Sequence, residues 1–249
     1  MPRPRSLRAV VTYLLVALIV ALGAAAQAAS GFGFALLAVP LLALLLGAKT
    51  AVVTAGVVSL GLQLTMALRD HGSIRRPTVV TMTIAALAGM PLGLFILERV
   101  EDRTLTIAIA VTVLIFTLLL ARGARVPAGT AIDAAAGFTS GIISTSTGTS
   151  GPPLVIALHA REMTPLMFRA TLAAQFLIQG TISVVAFALV GRITAEVSRL
   201  ALAGLPGLAL GWLAGDRIFA RLDHDRFRRV VLVMLAISGL ASFLGAVAD

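Results

Sequence analysis

The chain is written as long apolar runs separated by short polar connections. The runs cover roughly 10–29, 31–47, 50–68, 77–97 and 104–121, and then 129–147, 151–160, 165–189, 199–215 and 229–247. Most are about long enough to cross a hydrocarbon core as helices, which takes roughly 20 residues at about 1.5 Å each. A membrane barrel would instead show short segments alternating between apolar and polar positions, and the sequence has none. The pattern predicts an all-α, polytopic membrane protein with 8–10 hydrophobic helical segments. The longest polar connection, around 216–229, is too short to fold alone, so the expected function lies within the membrane.

The two halves of the pattern match in order. Ser30-Gly31 corresponds to Ser150-Gly151, Lys49 to Arg169, the Gly-Ser-Ile at 72–74 to the Gly-Arg-Ile at 191–193, and the Ala-Leu-Ala-Gly-Met-Pro at 86–91 to the Ala-Leu-Ala-Gly-Leu-Pro at 201–206. Four ordered matches at a nearly constant offset predict a duplication, with residues 1–126 as one membrane repeat and 127–249 as the second. Five crossings per repeat, an odd number, would place the second copy upside down relative to the first. If the segments after Gly31 and Gly151 dip in and return, fewer crossings are complete. The first apolar run, read alone, also resembles a signal peptide, but its counterpart deep in the chain favours a retained helix.

Two places interrupt the apolar pattern inside a repeat. GIISTSTGTSGPPL at 141–154 combines hydroxyl residues, glycines and two adjacent prolines, and Gln27-Ala-Ala-Ser30-Gly31-Phe32-Gly33-Phe34, followed by Pro40, holds the equivalent place in the first half. Glycine permits the turn, and proline removes a backbone donor while suiting a first helical turn. A backbone break at membrane depth is tolerated only where protein or water surrounds it. Hydroxyls and free amides at the start of a half-helix favour an anion. Small-residue packing accounts for Gly137 and Gly141, but not for the run from Ser144 to Ser150 and its prolines. The candidate substrate-binding residues are therefore Gln27, Ser30, Gly31, Phe32 and Gly33 in one break, and Ser144, Thr145, Ser146, Thr147, Gly148, Thr149, Ser150 and Gly151 in the other.

Composition agrees with the pattern: 59% of the 249 residues are hydrophobic and only 12% charged, with a mean hydropathy of +1.02. In a soluble protein the net charge of +9 would point to nucleic acid. Here the basic residues sit mostly in short loops, where they orient helices and meet anionic lipid, so lipid and not nucleic acid is the expected partner. Their distribution weakly prefers ten crossings with the N-terminus outside, although Arg3, Arg5 and Arg8 argue the other way. The absence of cysteine excludes thiolate metal sites and disulfides, His/Asp metal spacing is missing, and no cofactor is expected.

Ionisable and amide groups within the runs complete the candidate site. Lys49 and Arg169 each follow a break by 19 positions, and either is a candidate oxyanion ligand or a helix-end group that snorkels to an interface. Gln175 and Gln179 share a helix face one turn apart, and they line a pathway or bond across to a neighbouring helix; Gln63 is a further polar residue within a span. Asp133 is the candidate for carrying a coupling proton, with an arginine pair or a favourable helix-dipole position as alternatives.

On the motifs Ser30-Gly-Phe-Gly-Phe-Ala-Leu-Leu-Ala-Val-Pro-Leu41 and GIISTSTGTSGPPL, together with the Gly-x-Ile elements at Gly72 and Gly191, the chain resembles the TauE/SafE family of sulfite exporters, also described as 4-toluene sulfonate uptake permeases. Phe32 and Phe34 stand where that family tends toward glycine, which predicts a tighter or more apolar first break. The resemblance implies a multi-pass protein of the bacterial cytoplasmic membrane that moves sulfite, sulfoacetate, taurine-derived products or related small organic anions. The expected activity is a secondary transporter, a proton-coupled exporter, with a small anion and protons as partners and no enzymatic role. An anion channel and a membrane-embedded enzyme or assembly factor without transport are the alternatives. The enzyme ranks below the others because the sequence shows no Ser/His/Asp set, HExxH or facing carboxylate pair. Oligomeric state has no signal in the sequence.

Overall fold

The computed structural model describes residues 4–123, 126–219 and 224–248. Among these the chain forms ten α-helices and no strand: α1 (Pro4–Ser30), α2 (Gly33–Leu46), α3 (Ala48–Arg69), α4 (Arg76–Arg99), α5 (Asp102–Ala121), α6 (Thr130–Ser146), α7 (Gly151–His159), α8 (Pro165–Leu189), α9 (Ala195–Phe219) and α10 (His224–Ala248). Segments of α1, α3, α4, α5, α8 and α9 are long and apolar enough to cross a membrane; α2 and the described part of α10 are shorter apolar helices. Leucines such as Leu14, Leu64, Leu87, Leu189 and Leu210 are exposed on the outside of the bundle, as expected where lipid replaces water. This is an all-α, multi-pass membrane protein.

The connection expected around 216–229 is mostly helical, because α9 continues to Phe219 and α10 begins at His224, while residues 220–223 lie outside the described residues. Arginine has good helix propensity, so charged residues do not by themselves end a helix. Proline sits inside α2 (Pro40), α4 (Pro91) and α9 (Pro206), where each lacks the N–H that an intrahelical bond needs.

Glycine seams set the helix directions. A Cβ on Gly207, Gly211 or Gly215 of α9 would strike the carbonyls of Ala17, Ala21 or Ala25 of α1, so these two helices run side by side in the same sense with their backbones nearly touching. Likewise Gly137 and Gly141 of α6 press on the backbone at Met82 and Ala86 of α4, while Gly89 and Gly93 of α4 press on α6 at Phe138 and Ile142. Gly204 faces Val58 and Gly61 faces Leu208, which aligns α3 with α9. The Arg75 N–H donates to Thr171 Oγ1 and Thr83 Oγ1 to Gln175 Oε1, which aligns α4 with α8. By contrast, Gly56 lies beside Phe187 and Gly180 beside Leu60 and Gln63, so α3 and α8 cross antiparallel. Helices α1, α3 and α9 therefore share one direction, and α4, α6 and α8 the other.

The main apolar core gathers Val16, Val20, Phe34, Leu42, Val58, Leu97, Ile109 and Phe187, contributed by α1 through α5 and α8. A second cluster around Leu154, Val155, Leu158, Leu172 and Phe176 packs α7 against α8. Together they hold the two helix breaks against the α3–α8 crossing.

Candidate functional site

The first break is made by Gly31, whose φ of +87° is the left-handed conformation that a side chain would strain. Its N–H donates to the Gln27 carbonyl at 2.7 Å, the Ser30 hydroxyl donates to the Ala26 carbonyl at 2.7 Å, and the Phe32 N–H donates back to Ser30 Oγ at 3.3 Å. The turn thus satisfies its own polar groups, as serine turns do, and Gly33 then opens α2 against Ala26 of α1.

The second break is closed by Gly148 (φ +71°), whose N–H returns to the Ile143 carbonyl at 2.8 Å. Its hydroxyls are largely occupied within the protein. Thr145 Oγ1 donates to the Met90 carbonyl at 2.7 Å and so ties α6 to α4, Ser146 Oγ donates to Ile142 at 2.7 Å, and the Thr147 and Thr149 hydroxyls bond each other at 3.0 Å. Helix α7 then starts at Gly151 with both prolines in its first turn. The two breaks meet: a Cβ on Gly151 would lie 3.4 Å from the Phe176 ring and 3.6 Å from the Phe32 carbonyl oxygen.

Where they meet, a cavity of about 50 Å³ opens between α3 and α8, room for roughly three to five water molecules. One part of its wall is polar: Gln27, Ser59, Gln63, Ser144, Ser150 and Ser183. Another is aromatic: Phe32, Phe34, Phe176 and Phe187. Glycines 56, 148, 151 and 180 bring backbone to the edge. Among the described residues, no ionisable side chain lines it.

Of the residues anticipated from sequence, Gln27, Phe32, Gln63, Ser144, Gly148, Ser150 and Gly151 line this cavity. Gln27 Nε2 donates to Met66 Sδ at 3.8 Å, and Ser144 and Ser183 share a hydrogen bond of 3.0 Å. Gln175 and Gln179 are buried on α8 and turn toward α4 and α6, beside the stripe that carries Ser183. Gln175 Oε1 accepts from Thr83 Oγ1 at 3.2 Å, and Gln179 Oε1 lies 3.0 Å from Ser140 Oγ, whose one proton also has the Ser150 carbonyl within reach at 2.9 Å. Sequence reasoning did not single out Ser59, Ser183, Gly56 or Gly180. The signal that would have found the two serines is the pairing of a serine and a glutamine one turn apart on each crossing helix, Ser59/Gln63 and Gln179/Ser183.

The charged candidates stand outside the cavity wall. Lys49 Nζ donates to the Glu98 carbonyl at 3.3 Å, beside the two-point Glu98–Arg192 pair at 2.6 and 2.8 Å. The Glu98 carboxylate raises the pKa of the Arg192 guanidinium above an already high value, so this loop charge is permanent. Arg169 Nη2 donates to the Ala28 carbonyl at 3.4 Å, and its stem passes over Gly31, so it holds the carbonyl end of α1 at the first break. Asp133 is buried in an ion pair with Arg161, whose Nε lies 3.0 Å from Oδ1, which links the start of α6 to the chain after α7. His159 closes α7 with its ring 4.7 Å from that of Phe168.

The sequence profile described as Sulfite exporter TauE/SafE matches residues 15–242, and the chain belongs to that family. No curated protein and no solved structure matches the chain.

Proposed function

We propose that this TauE/SafE family member is a secondary transporter that exports small sulfur-containing or organic anions, of the class of sulfite, sulfoacetate and related sulfonates, with protons as the coupling ions. The observation that carries this reading is the junction of two helix breaks at one small cavity inside a bundle of membrane-spanning helices. Helices α2 and α7 both begin at its wall, so the positive ends of two helix dipoles converge there. Hydroxyl and amide groups supply neutral hydrogen bonds, and the cavity volume suits a small oxyanion better than a bulky one.

In this reading residues 1–126 and 127–249 are two inverted repeats. The helix pairings support it. Matching α1 through α5 to α6 through α10 exchanges the α1–α9 seam with the α6–α4 seam, and carries the α3–α8 and α5–α10 contacts onto themselves. The opposite senses of α1 and α6 agree with inversion. Gln27, Phe32, Ser144, Gly148, Ser150 and Gly151 contact the anion. Ser30, Gly31, Gly33, Thr145, Ser146, Thr147 and Thr149 shape the breaks, Arg169 anchors the first, and Asp133 beside Arg161 carries the coupling proton.

The test is flux of sulfite, sulfoacetate and taurine in proteoliposomes under an imposed pH gradient. Accumulation of one of these anions driven by the gradient is the expected result. Neither flux nor binding for any of them overturns the reading, and large uncoupled conductance replaces it with a channel.

A further inference from the structure

Resting on that reading, we infer that Gln63, with Gly180 opposite it, is the element that selects the ligand: Gln63 supplies the amide that contacts an oxyanion oxygen, and the empty side-chain position at 180 sets how bulky that ligand can be. Gln63 lines the cavity from the C-terminal half of α3. Its Nε2 donates to Ser59 Oγ at 3.1 Å, and Ser59 Oγ in turn donates to the Gly56 carbonyl at 3.0 Å. The other end of the amide, Oε1, is buried and has no hydrogen-bond partner among the described residues. A buried polar atom without a partner is unfavourable, and Oε1, an acceptor, is completed as placed only by a donor such as water or a ligand hydroxyl.

The chemistry of the Ser59–Gln63 relay makes the amide adaptable. The Ser59 proton has two acceptors within reach, the Gly56 carbonyl or, if the amide turns over, Gln63 Oε1. In the second arrangement Gln63 Nε2 faces the cavity as a donor, which is the polarity an anionic oxygen requires. Ser144 and Ser183 add to it, because their shared hydrogen bond uses one of two hydroxyl protons and leaves the other for the cavity. A neutral donor set of this kind holds an oxyanion without a fixed counter-charge that would retain it, and release is part of every transport cycle.

Gly180 sets the space. A Cβ there would lie 2.5 Å from Gln63 Oε1 and 3.1 Å from Leu60 Cδ2. Even a methyl group at 180 therefore forces the Gln63 amide to shift, and because both residues line the cavity, the methyl and the moved amide change its shape there.

The experiment measures binding of radiolabelled sulfite, and competition by sulfoacetate and toluenesulfonate, to the purified full-length protein in detergent, with thermal unfolding recorded in parallel. Gln63→Glu, which keeps the shape but replaces a donor with a carboxylate, is expected to weaken sulfite binding by more than about tenfold, and Gln63→Met by about tenfold. Gly180→Ala is expected to shift selectivity toward the smaller anion, lowering the affinity for toluenesulfonate more than that for sulfite; a merely structural role for position 180 would lower both alike. If either Gln63 variant fails to fold, the selectivity ratio of Gly180→Ala decides. Unchanged affinities in folded Gln63 variants, or an unchanged ratio in Gly180→Ala, overturn the inference while leaving the transporter reading standing. Absence of any oxyanion binding by the unmodified protein removes the transporter reading itself.

Discussion

At the scale of single residues, what a charged side chain does here depends on which backbone end or carboxylate the fold brings to it. Lys49 and Arg169 occupy matching sequence positions, yet each is engaged by a main-chain carbonyl, Lys49 at Glu98 and Arg169 at Ala28. A basic residue near a helix start reads equally well as an anion ligand or as a partner for another helix's unpaired carbonyls, and only tertiary placement separates the two. Asp133 is the clearest buried case, 2% exposed against 15% for Arg161. Removing one partner leaves the other charged and unpaired, so Asp133→Asn alone is expected to cost about 3–5 kcal/mol of stability, read as a lowered unfolding midpoint in detergent. The double variant Asp133→Asn, Arg161→Met is expected to recover most of that loss. If the pair also carries the coupling proton, this folded double variant still exchanges anion across proteoliposomes but no longer responds to an imposed pH gradient. Retention of the pH response would assign Asp133 to holding α6 and α7 together.

Among the elements, the seams explain why so many glycines are spent on helices that propensity alone would rather fill with alanine or leucine. Gly207, Gly211 and Gly215 recur every fourth residue along one stripe of α9, each against a carbonyl of α1. Gly211→Val is therefore expected to separate α1 from α9 and to give aggregated or rapidly degraded protein, whereas Leu210→Val, one position away and exposed, leaves expression and elution in detergent unchanged. Comparable yields of the two variants would count against a close-packed seam. These elements were largely legible in the sequence. The apolar runs gave the helices because only a helix satisfies its backbone in lipid within a single segment, and the two breaks fall at Gly31 and Gly148, inside the stretches whose glycine, serine and proline content marked them. The far wall of the cavity was less legible. Gly56 and Gly180 are ordinary small residues of spanning helices, and only the repeated serine and glutamine spacing points to Ser59 and Ser183; facing the cavity does not stop a serine from bonding its own helix, as Ser59 does to the Gly56 carbonyl.

For the whole molecule, the most extensive packing joins the two halves of the chain, α1 with α9 and α4 with α6, and the halves are interlocked. Neither half on its own covers the glycine stripes and polar groups that the other now covers. Residues 1–126 expressed alone are expected to be unstable, while the two halves co-expressed as separate chains, cut near 126, assemble and co-purify. A stable, monodisperse first half would contradict this. The crossing of α3 and α8 lies at the centre of that interlock and presents a cavity whose walls carry no ionisable side chain among the described residues. A chamber with such walls adds no charge to a ligand held within it. An anion moving alone would take its full charge through the membrane field, at about 2.3 kcal/mol per elementary charge per 100 mV; a proton that moves with it cancels one unit, and a proton exchanged against it adds one. The voltage at which net current vanishes would then measure, for any given cargo, how many protons travel with or against it.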